Sequence, residues 1–296
     1  MNGLLVIDKP VGITSHDVVN RLRRITSERS IGHLGTLDPM ATGVLPLLMG
    51  KFTRLAQYFS AAEKSYQGSI RFGFATDTYD AEGSPAGDDR WPAFSAQLTL
   101  DRLRAASARF HGEIQQMPPP FSAKKISGQP AYKLAREGKP FELKPARINI
   151  NRFEILSLDG PEASFEIEVS AGGYVRSVAH ELGIDLVCGA HLSRLRRTRA
   201  GAFTLDDAHT LDELEPLAGN LAELESCCIH PRALLPEMPS VAGDAQTLGR
   251  LRNGAQANLP EFSSAPLVKV FAGPRDLVGI ARRIAGTLFQ PVIVMG

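Results

Sequence analysis

The chain has 296 residues, of which 43% are hydrophobic and 22% charged, and its formal net charge is +1. This length exceeds what one hydrophobic core usually holds, so we expect one large domain and a smaller one. The composition is that of a soluble globular protein, and no apolar run approaches the roughly 18 residues that a membrane helix needs.

The first half of the chain predicts a mixture of strands and helices. Leu4–Asp8 is a short apolar run typical of a strand, and Ser15 is placed as the N-cap of a helix over Asp17–Ile25. The elements predicted next are a strand over Val44–Met49, a helix over Arg54–Phe59, a half-buried strand through Tyr66, Ile70 and Phe72, a long exposed connection over 76–97, and a helix over Leu100–Phe110.

The second half continues this pattern and then changes character. Residues 117–145 are rich in proline and basic residues, which indicates an excursion from the core. The elements predicted after it are strands over Ile148–Leu158 and Phe165–Ser170, a helix over Val175–Leu186, helical acidic sequence to about Glu225, and short segments at Leu267–Phe271, Leu277–Ala281 and Leu288–Val294. A mixed α+β fold with a small β-rich domain beyond Pro236 follows.

The charges are unevenly spread although their total is nearly neutral. Residues 119–147 carry seven Lys/Arg and two Glu, residues 191–200 carry four Arg and no acid, and residues 206–225 carry seven Asp/Glu and no Lys or Arg. Opposed patches of this kind are typical of a protein that offers one face to a polyanion. Solvated surface runs explain the same pattern equally well, so charge alone leaves both interpretations open.

The cysteines and the first residues indicate a cytoplasmic protein. Cys188, Cys227 and Cys228 form an odd set with an adjacent pair, which is a poor disulfide framework. The start, MNGLLVIDKP, lacks the basic residues and the apolar length of a signal peptide. Cys227, Cys228 and His230 lack the CxxC spacing of structural zinc, and we expect no metal site.

Several common catalytic motifs are absent or incomplete. MGKFT, at 49–53, resembles the end of a phosphate-binding P-loop, but Leu45 and Phe52 stand where the motif needs glycine and Ser/Thr. The sequence contains no GxGxxG after a strand, no GxSxG and no HExxH. Dinucleotide, serine-hydrolase and zinc-protease chemistry are therefore unsupported.

One loop stands out, GHLGTLDPMATGVL at Gly32–Leu45, in which Asp38 directly precedes a proline. A turn-forming aspartate accounts for this loop on its own. Its companions in chain order are DKPVGITS at 8–15, KSYQG at 64–68, GEIQQMPPPFSAKKISGQPAYKLAREG at 112–138, GGYVRSVAHELG at 172–183 and AHLSRLRRTRAGAF at 190–203. This ordered set resembles the TruB-type tRNA pseudouridine synthases over roughly residues 3–205. Leu34 and Phe121 depart from the residues usual in that family, and its C-terminal domain matches only loosely.

The resemblance implies that the chain converts uridine 55, in the T loop of tRNA, to pseudouridine. The N1–C1′ bond breaks, the uracil turns, and it is rejoined through C5. Because this is an isomerisation, no redox cofactor, ATP or metal is required. The target uridine is stacked in the folded T loop, so the enzyme must flip it into a pocket.

The resemblance also implies a domain organisation. Residues 1–235 are expected to form the catalytic domain, with a mixed, mainly antiparallel sheet flanked by helices. The excursion 117–145 corresponds to an insertion that closes over the T-stem loop. Residues 237–296 are expected to form a PUA-like RNA-binding domain.

The matched motifs imply roles for individual side chains. Asp38 matches the ionised nucleophile, acting on the sugar C1′ or on the base. His33 matches a residue that enters the space vacated by the flipped base, Tyr66 one that packs against the uracil, and Leu195 one that lines the uracil pocket. The Tyr66 phenol can also move a proton from the sugar. Taken singly, these residues would be a turn former, a structural histidine and two core side chains.

Arg176, in GGYVRSV, is predicted as the partner of Asp38. Desolvation raises the pKa of a carboxyl group, whereas a cation within about 4–6 Å lowers it, so a buried nucleophilic carboxylate needs a cation. Arg176 follows a Gly-Gly turn that can bring it close to the loop, and its two-pronged donors suit a carboxylate. Helix capping or phosphate contact are the alternatives for this arginine.

The other predicted substrate-binding residues are basic. Contacts with RNA phosphates are expected from Lys124 and Lys125 of the excursion and from Arg194, Arg196 and Arg197. Lys9, with Thr14 and Ser15, belongs to a motif near the site whose role is structural or RNA-facing. Plain surface charge is the alternative for the three arginines.

The expected partner is the T-stem loop of tRNA, bound by a monomer without a membrane or a guide RNA. A non-catalytic tRNA-folding protein would retain the fold, but loss of Asp38 or Tyr66 would be expected there and both are present. A guide-dependent synthase of the archaeal and eukaryotic type is disfavoured by the excursion 117–145, which stand-alone enzymes use to grip tRNA.

Overall fold

Two β-sheets organise the chain, one of ten strands within residues 3–209 and one of five strands within residues 240–294. The structure, a computed structural model, describes residues 1–122, 124–126 and 128–295, with backbone alone at 125, 126, 130, 132 and 136.

The strands, in chain order, are β1 Gly3–Lys9, β2 Ile31–His33, β3 Thr42–Met49, β4 Lys64–Phe72, β5 Ala75–Thr76, β6 Pro85–Ala86, β7 Gly112–Gln116, β8 Lys125–Ile126, β9 Gln129–Pro130, β10 Ala146–Asp159, β11 Glu162–Val169, β12 Ala190–Ala200, β13 Phe203–Thr204, β14 Ala208–His209, β15 Ser240–Ala242, β16 Ala257–Asn258, β17 Leu267–Ala272, β18 Asp276–Ala285 and β19 Leu288–Val294.

The α-helices are α1 Ser15–Thr26, α2 Trp91–Phe94, α3 Leu100–Ser107, α4 Ala131–Arg136, α5 Val175–Asp185, α6 Leu211–Leu214, α7 Leu221–Ser226 and α8 Ala245–Arg252. The 3-10 helices are Gly50–Tyr58, Ser95–Gln97, Ala108–Phe110, Leu205–Asp207 and Glu215–Leu217. No helix among the described residues is long and apolar enough to cross a membrane.

The large sheet is mixed and mainly antiparallel, as predicted. Eight of its strands have the order β14-β1-β3-β12-β4-β11-β10-β7, and the other two lie beside this path, β2 paired with β3 and β13 paired with β12. The pairing is parallel between β12 and β3 and between β1 and β14. The central strand β12 pairs Arg197 with Gly43 of β3 on one side and with Tyr66 of β4 on the other. Gly43 has φ +101°, and a Cβ there would lie 2.2 Å from the Arg197 carbonyl oxygen, so only glycine permits this approach.

The N-cap of α1 differs from the prediction by one residue. Thr14, not Ser15, is the N-cap: its hydroxyl accepts from the Asp17 amide, and the Asp17 carboxylate accepts from the Thr14 amide. The Ser15 hydroxyl is buried and instead accepts from the Leu37 amide at 2.8 Å and donates to the Leu37 carbonyl at 3.0 Å. Ser15 thus joins α1 to the Asp38 loop.

Three other predictions need correction. The segment after α5 was predicted to be helical, but it begins with the strand β12. The arginines of β12 occupy both faces of the sheet, so the strand lacks the alternation of apolar and polar residues by which a strand is predicted. The helix predicted over Arg54–Phe59 is part of the 3-10 helix Gly50–Tyr58. The connection 76–97 is mainly exposed but contains β5, β6 and α2, and it buries Asp80.

The C-terminal sheet has the order β15-β17-β18-β19-β16, and β17, β18 and β19 confirm the three predicted segments. It packs on the large sheet through a shared cluster of buried side chains. From the large sheet the cluster includes Leu4 and Val6 of β1, Val44 and Leu48 of β3, and Phe52 of the 3-10 helix that follows β3. From the C-terminal sheet it includes Phe271, Leu277, Ile280 and Ile293.

Candidate active site

One cavity brings together six of the predicted site residues. It has a volume of about 450 Å³, and its lining includes His33, Asp38, Tyr66, Arg176, Leu195 and Arg197. These residues come from β2, the loop before β3, β4, α5 and β12, so the cavity lies where the centre of the large sheet meets α5. A volume of this size is typical of small-molecule and nucleotide pockets.

The loop that carries Asp38 is fixed by a buried lysine. The ammonium group of Lys9, at the end of β1, donates to the carbonyl oxygens of Pro10, Ile13 and Pro39 at 2.9, 2.7 and 3.3 Å. The Lys9 side chain is fully buried, so the structural alternative for this motif is correct and the RNA-facing alternative is wrong. Burial lowers the pKa of Lys9 to about 8, although the Asp38 carboxylate opposes this shift.

A buried arginine fixes the other end of the loop. Arg197 Nε donates to the Val44 carbonyl at 2.6 Å, Nη2 to the Gly35 carbonyl at 3.1 Å, and Nη1 to the Thr36 carbonyl at 3.4 Å. Its side chain is fully buried in the centre of the sheet. The prediction that Arg197 contacts phosphate is therefore wrong, because its donors are used to hold the loop.

Arg176 holds the Asp38 carboxylate with two prongs. Its Nε lies 3.0 Å from Asp38 Oδ2, and its Nη2 donates to Asp38 Oδ1 at 3.2 Å. The predicted ion pair is therefore present, in the planar fork geometry that arginine provides. The remaining Arg176 donors reach the carbonyl oxygens of Thr78 and Phe121, each at 2.9 Å, so the guanidinium is fully engaged.

Local sequence explains how Arg176 reaches the loop. Gly172 has φ +85°, and a Cβ at Gly173 would lie 2.2 Å from Val169, so the Gly-Gly turn lets β11 and α5 approach closely. Gln116, on β7, then clamps the start of the helix: its side chain donates to the Tyr174 carbonyl at 3.0 Å and accepts from the Tyr174 amide at 2.8 Å.

Asp80 is a member of the site that the sequence interpretation missed. It is buried, and its Oδ2 lies 3.3 Å from Arg176 Nη1. Its Oδ1 accepts from the Thr78 hydroxyl at 2.6 Å and from the Glu82 amide at 3.1 Å. Asp80 stands in a segment rich in Asp, Gly and Pro, where an acid ordinarily indicates a solvated turn, and that composition concealed it.

The electrostatics of Asp38 are set by opposing influences. Burial raises the pKa of the Asp38 carboxyl group, the Arg176 guanidinium lowers it, Asp80 raises it further, and Lys9 lowers it. The side chain nevertheless retains 34% of its surface exposed, so the carboxylate remains reachable beside the cavity. This is an environment for a reactive carboxylate that depends on its cation partner.

The other cavity residues combine aromatic, apolar and cationic groups. Tyr66 and Leu195 are buried residues of β4 and β12. Burial lowers the pKa of His33, which favours the neutral imidazole, and the Nδ1 atom of His33 is buried with no hydrogen-bond partner among the described residues. Lys64, missed by the sequence interpretation, also lines the cavity; burial lowers its pKa, and its ammonium donates to the Ala62 carbonyl at 2.7 Å.

The remaining basic residues lie outside this cavity. Arg194 keeps 79% of its side chain exposed, with Nη2 3.7 Å from Glu162, and Arg196 is paired with Asp8 at 2.7 Å. Lys124 donates to the Lys144 carbonyl at 2.8 Å, which closes the excursion on itself. The side chain of Lys125 lies outside the described part of the structure.

Family models and full-length relatives that match this chain are all described as pseudouridine synthases. The model described as TruB family pseudouridylate synthase (N terminal domain) matches residues 23–175, and the tRNA pseudouridylate synthase B C-terminal domain matches residues 176–233. The tRNA pseudouridine synthase B of Solibacter usitatus is 44% identical over 298 residues and all of both chains. That of Aquifex aeolicus is 38% identical over 290 residues, covering 97% of this chain and 98% of its own.

A solved structure shows the same fold at lower identity. The Cbf5-Nop10-Gar1 complex contains a chain with TM-score 0.70 and 24% identity, covering 99% of this chain and 85% of that chain. By its matched models and by its full-length relatives, the chain belongs to the TruB family of pseudouridylate synthases.

Proposed function

We propose that this chain isomerises uridine 55 in the T loop of tRNA to pseudouridine, with Asp38 as nucleophile on a flipped-out nucleotide. The observation that carries the proposal is the two-pronged contact of Arg176 with a carboxylate beside a cavity of nucleotide size. Relatives that match the whole chain and are named tRNA pseudouridine synthase B support the choice of tRNA.

The proposed reaction needs three operations from the protein. The cavity accepts the flipped uracil between the Tyr66 ring and Leu195, which both line it. The Asp38 carboxylate adds to the sugar or the base, the N1–C1′ bond breaks, and the turned base rejoins through C5. The bond to Asp38 is then broken again, which regenerates the free carboxylate. The proton lost from C5 is balanced by the proton gained at N1, so the overall reaction needs no co-reactant. The Tyr66 hydroxyl is the group we assign to moving a proton from the sugar and returning it, since the sugar of the product carries the same hydrogens.

His33 and the exposed cations are assigned to the RNA around the target. A neutral imidazole stacks between bases without charge repulsion or a large desolvation cost, which fits the lowered pKa of His33. Arg194, Arg196 and the excursion with Lys124 and Lys125 are proposed to meet the phosphates. Lys9 and Arg197 are excluded from this role because their side chains are fully buried and their charged groups donate to backbone carbonyl oxygens of the protein.

The proposed domain division follows the two sheets. Residues 1–235 form the catalytic domain, with 117–145 as its RNA-gripping insertion, and residues 237–296 form a PUA-like RNA-binding domain. We propose further that the protein acts as a cytoplasmic monomer without a guide RNA. The chain includes the excursion that a direct grip on tRNA requires.

The test is incubation of the purified chain with a bare T-arm transcript, followed by mapping of pseudouridine. We expect pseudouridine at the T-loop position of uridine 55 without added protein or guide RNA, and no product in a transcript with cytidine at that position. Absence of product from the T-arm and from full-length tRNA would overturn the proposed reaction. Product only after adding a second RNA would overturn the stand-alone function.

A further inference from the structure

An aromatic stack joins the segment that carries Asp80 to the helix that carries Arg176. The rings of Tyr79 and His180 are nearly parallel, at 9°, with centroids 3.7 Å apart. His180 follows Arg176 by four residues on α5, so both side chains lie on the same face of the helix. The segment 78–82 is therefore attached to α5 at two successive turns, by ion pairing at Arg176 and by stacking at His180.

Tyr79 adopts a backbone conformation that needs compensation. Its φ is +66°, in the left-handed region that aromatic residues rarely adopt. Its amide donates to the Thr76 carbonyl at 3.3 Å, and its carbonyl accepts from the Leu192 amide of β12 at 3.0 Å. The neighbouring Thr78 carbonyl and Asp80 carboxylate both face Arg176. The conformation of Tyr79 thus sets two acceptors toward the guanidinium while its ring lies on α5.

The environment of His180 suits a packing role better than a charged one. Burial lowers the pKa of His180, so the ring is neutral, and its Nδ1 is buried with no hydrogen-bond partner among the described residues. Burial also raises the pKa of the Tyr79 phenol, with the Glu181 carboxylate adding to the shift. Two neutral rings in contact give an attachment that does not disturb the charge balance between Arg176, Asp80 and Asp38.

We propose that Tyr79 and His180 are positioning residues: their stack docks the segment 78–82 on α5 and so keeps Arg176 aligned with Asp38. The inference rests on the proposed function, because the alignment matters only if Asp38 reacts. Neither ring lines the cavity, so neither is assigned a contact with the nucleotide. An aromatic pair of this kind changes an equilibrium by roughly two- to tenfold, which sets the size of the expected effect.

The experiment compares Tyr79→Phe, Tyr79→Asn and His180→Ala with the parent chain. Phenylalanine keeps the stacking ring, whereas asparagine tolerates the left-handed backbone but removes the ring. In single-turnover reactions at saturating T-arm RNA, we expect Tyr79→Asn and His180→Ala to react roughly two- to tenfold more slowly, with RNA affinity within about twofold of the parent. Tyr79→Phe should react at the parent rate.

The pH profile separates positioning from a loss of stability. Asp38 faces Arg176 from α5, Lys9 from β1, and Asp80 with Glu82 from the segment 78–82. Without the stack, Arg176 is no longer held against Asp38, and among the charged neighbours Arg176 has the largest effect on Asp38, so the pKa of that carboxyl rises even though Asp80 is released as well. The acid limb of the single-turnover rate, which is its fall toward low pH, should therefore move to higher pH in Tyr79→Asn and His180→Ala, and stay in place in Tyr79→Phe.

Phe153→Leu is the matched control. It removes the ring of Phe153 from two aromatic pairs of the core, with Phe110 (centroids 6.0 Å apart at 89°) and with Phe165 (5.8 Å at 77°). We expect it to lower the melting temperature without moving the rate at saturating RNA or the acid limb. If Tyr79→Asn does not fold, His180→Ala provides the same readouts from the other side of the stack.

Each outcome has a defined meaning. If the parent makes no pseudouridine, the proposed function fails and this inference fails with it. If the parent is active and the variants without the ring react at its rate with an unchanged acid limb, the stack has no positioning role. If Tyr79→Phe is as slow as Tyr79→Asn, the hydroxyl rather than the stack matters, which also overturns the inference.

Discussion

The Asp38 carboxylate combines partial burial with a full set of charged neighbours. Burial and Asp80 raise the pKa of Asp38, while Arg176 and Lys9 lower it. The group is thus balanced so that small changes in its neighbours shift its ionisation. Because the proposed nucleophile is the ionised form, replacing any of these charged neighbours should change the pH dependence of the reaction rate.

Asp38→Asn should abolish product while RNA binding stays within about twofold. The amide keeps the shape of the side chain but supplies no anionic nucleophile, and loss of a nucleophile typically costs at least roughly a thousandfold in rate. Pseudouridine formation in single turnover and binding by filter retention measure the two effects. A rate within tenfold of the parent would remove Asp38 from the role of nucleophile.

Asp80→Asn should move the acid limb of the rate to lower pH. The carboxylate of Asp80 raises the pKa of Asp38, so its neutral replacement lets Asp38 remain ionised at more acidic pH. The rate on the plateau should fall several-fold, since Arg176 loses one of its partners. Single-turnover rates across the pH range provide the measurement, with Asp88→Asn as an exposed acid control from the same segment. A limb that moves upward would contradict this electrostatic account.

The contrast between Arg176 and Asp80 shows what sequence reasoning reaches at this scale. Arg176 was predictable because a buried anion requires a cation and because the Gly-Gly turn before it marks a close approach. Asp80 was not, because its burial depends on β12 supplying the Leu192 carbonyl and amide to the segment around it. Contacts of this long range leave no signal in local composition.

Among the elements, β1 and the Asp38 loop are joined by Lys9, and this connection can be tested. Lys9→Met should lower the melting temperature by roughly 2–10 °C, because three backbone carbonyl oxygens lose their donor. Removing this cation should also raise the pKa of Asp38 and move the acid limb upward, the opposite of Asp80→Asn. Thermal unfolding and the pH profile report the two effects.

Lys51→Met, which changes an exposed lysine, is the control for Lys9→Met. An unchanged melting temperature together with an unmoved limb would show that the Lys9 ammonium does not secure the loop.

The elements that sequence reasoning misjudged share a physical cause. β12 carries arginines on both faces of the sheet, and one of them, Arg197, is fully buried because the loop around Asp38 supplies its acceptors. Hydrophobic alternation identifies a strand only where buried positions are apolar. β4, β10 and β11 satisfy that condition, and their positions were predicted to within a few residues.

At the scale of the whole molecule, the shared cluster of buried side chains makes the stability of the large sheet depend on the C-terminal sheet. Deleting 237–296 removes Phe271 and Ile280 from the buried cluster that they share with Leu4, Val6 and Phe52 in the full chain. We expect the truncated chain to melt at a markedly lower temperature and to associate, although every predicted catalytic residue remains. Thermal unfolding and size-exclusion chromatography measure this. A truncated chain as stable and monomeric as the parent would show that the two parts fold independently.

The three strands β17, β18 and β19 were predictable from the sequence pattern, but this shared core was not. The residues concerned are separated by more than 200 positions, and their apolar character fits equally well in two separate cores. Arg232 illustrates the connection: it lies over the Phe271 ring at 4.3 Å and donates to the Gly273 and Pro274 carbonyls.

The buried cations have a consequence for how the protein searches among RNAs. Each phosphate contact that a protein makes releases counterions, and the slope of log affinity against log salt is about −0.7 to −0.9 per contact. Lys9 and Arg197 release none, and Arg196 and Arg199 are already held by Asp8 and Glu168. The salt dependence should therefore be shallower than the count of basic residues implies. We therefore expect the protein to leave non-cognate RNA quickly, so that its residence time depends on whether a uridine enters the cavity.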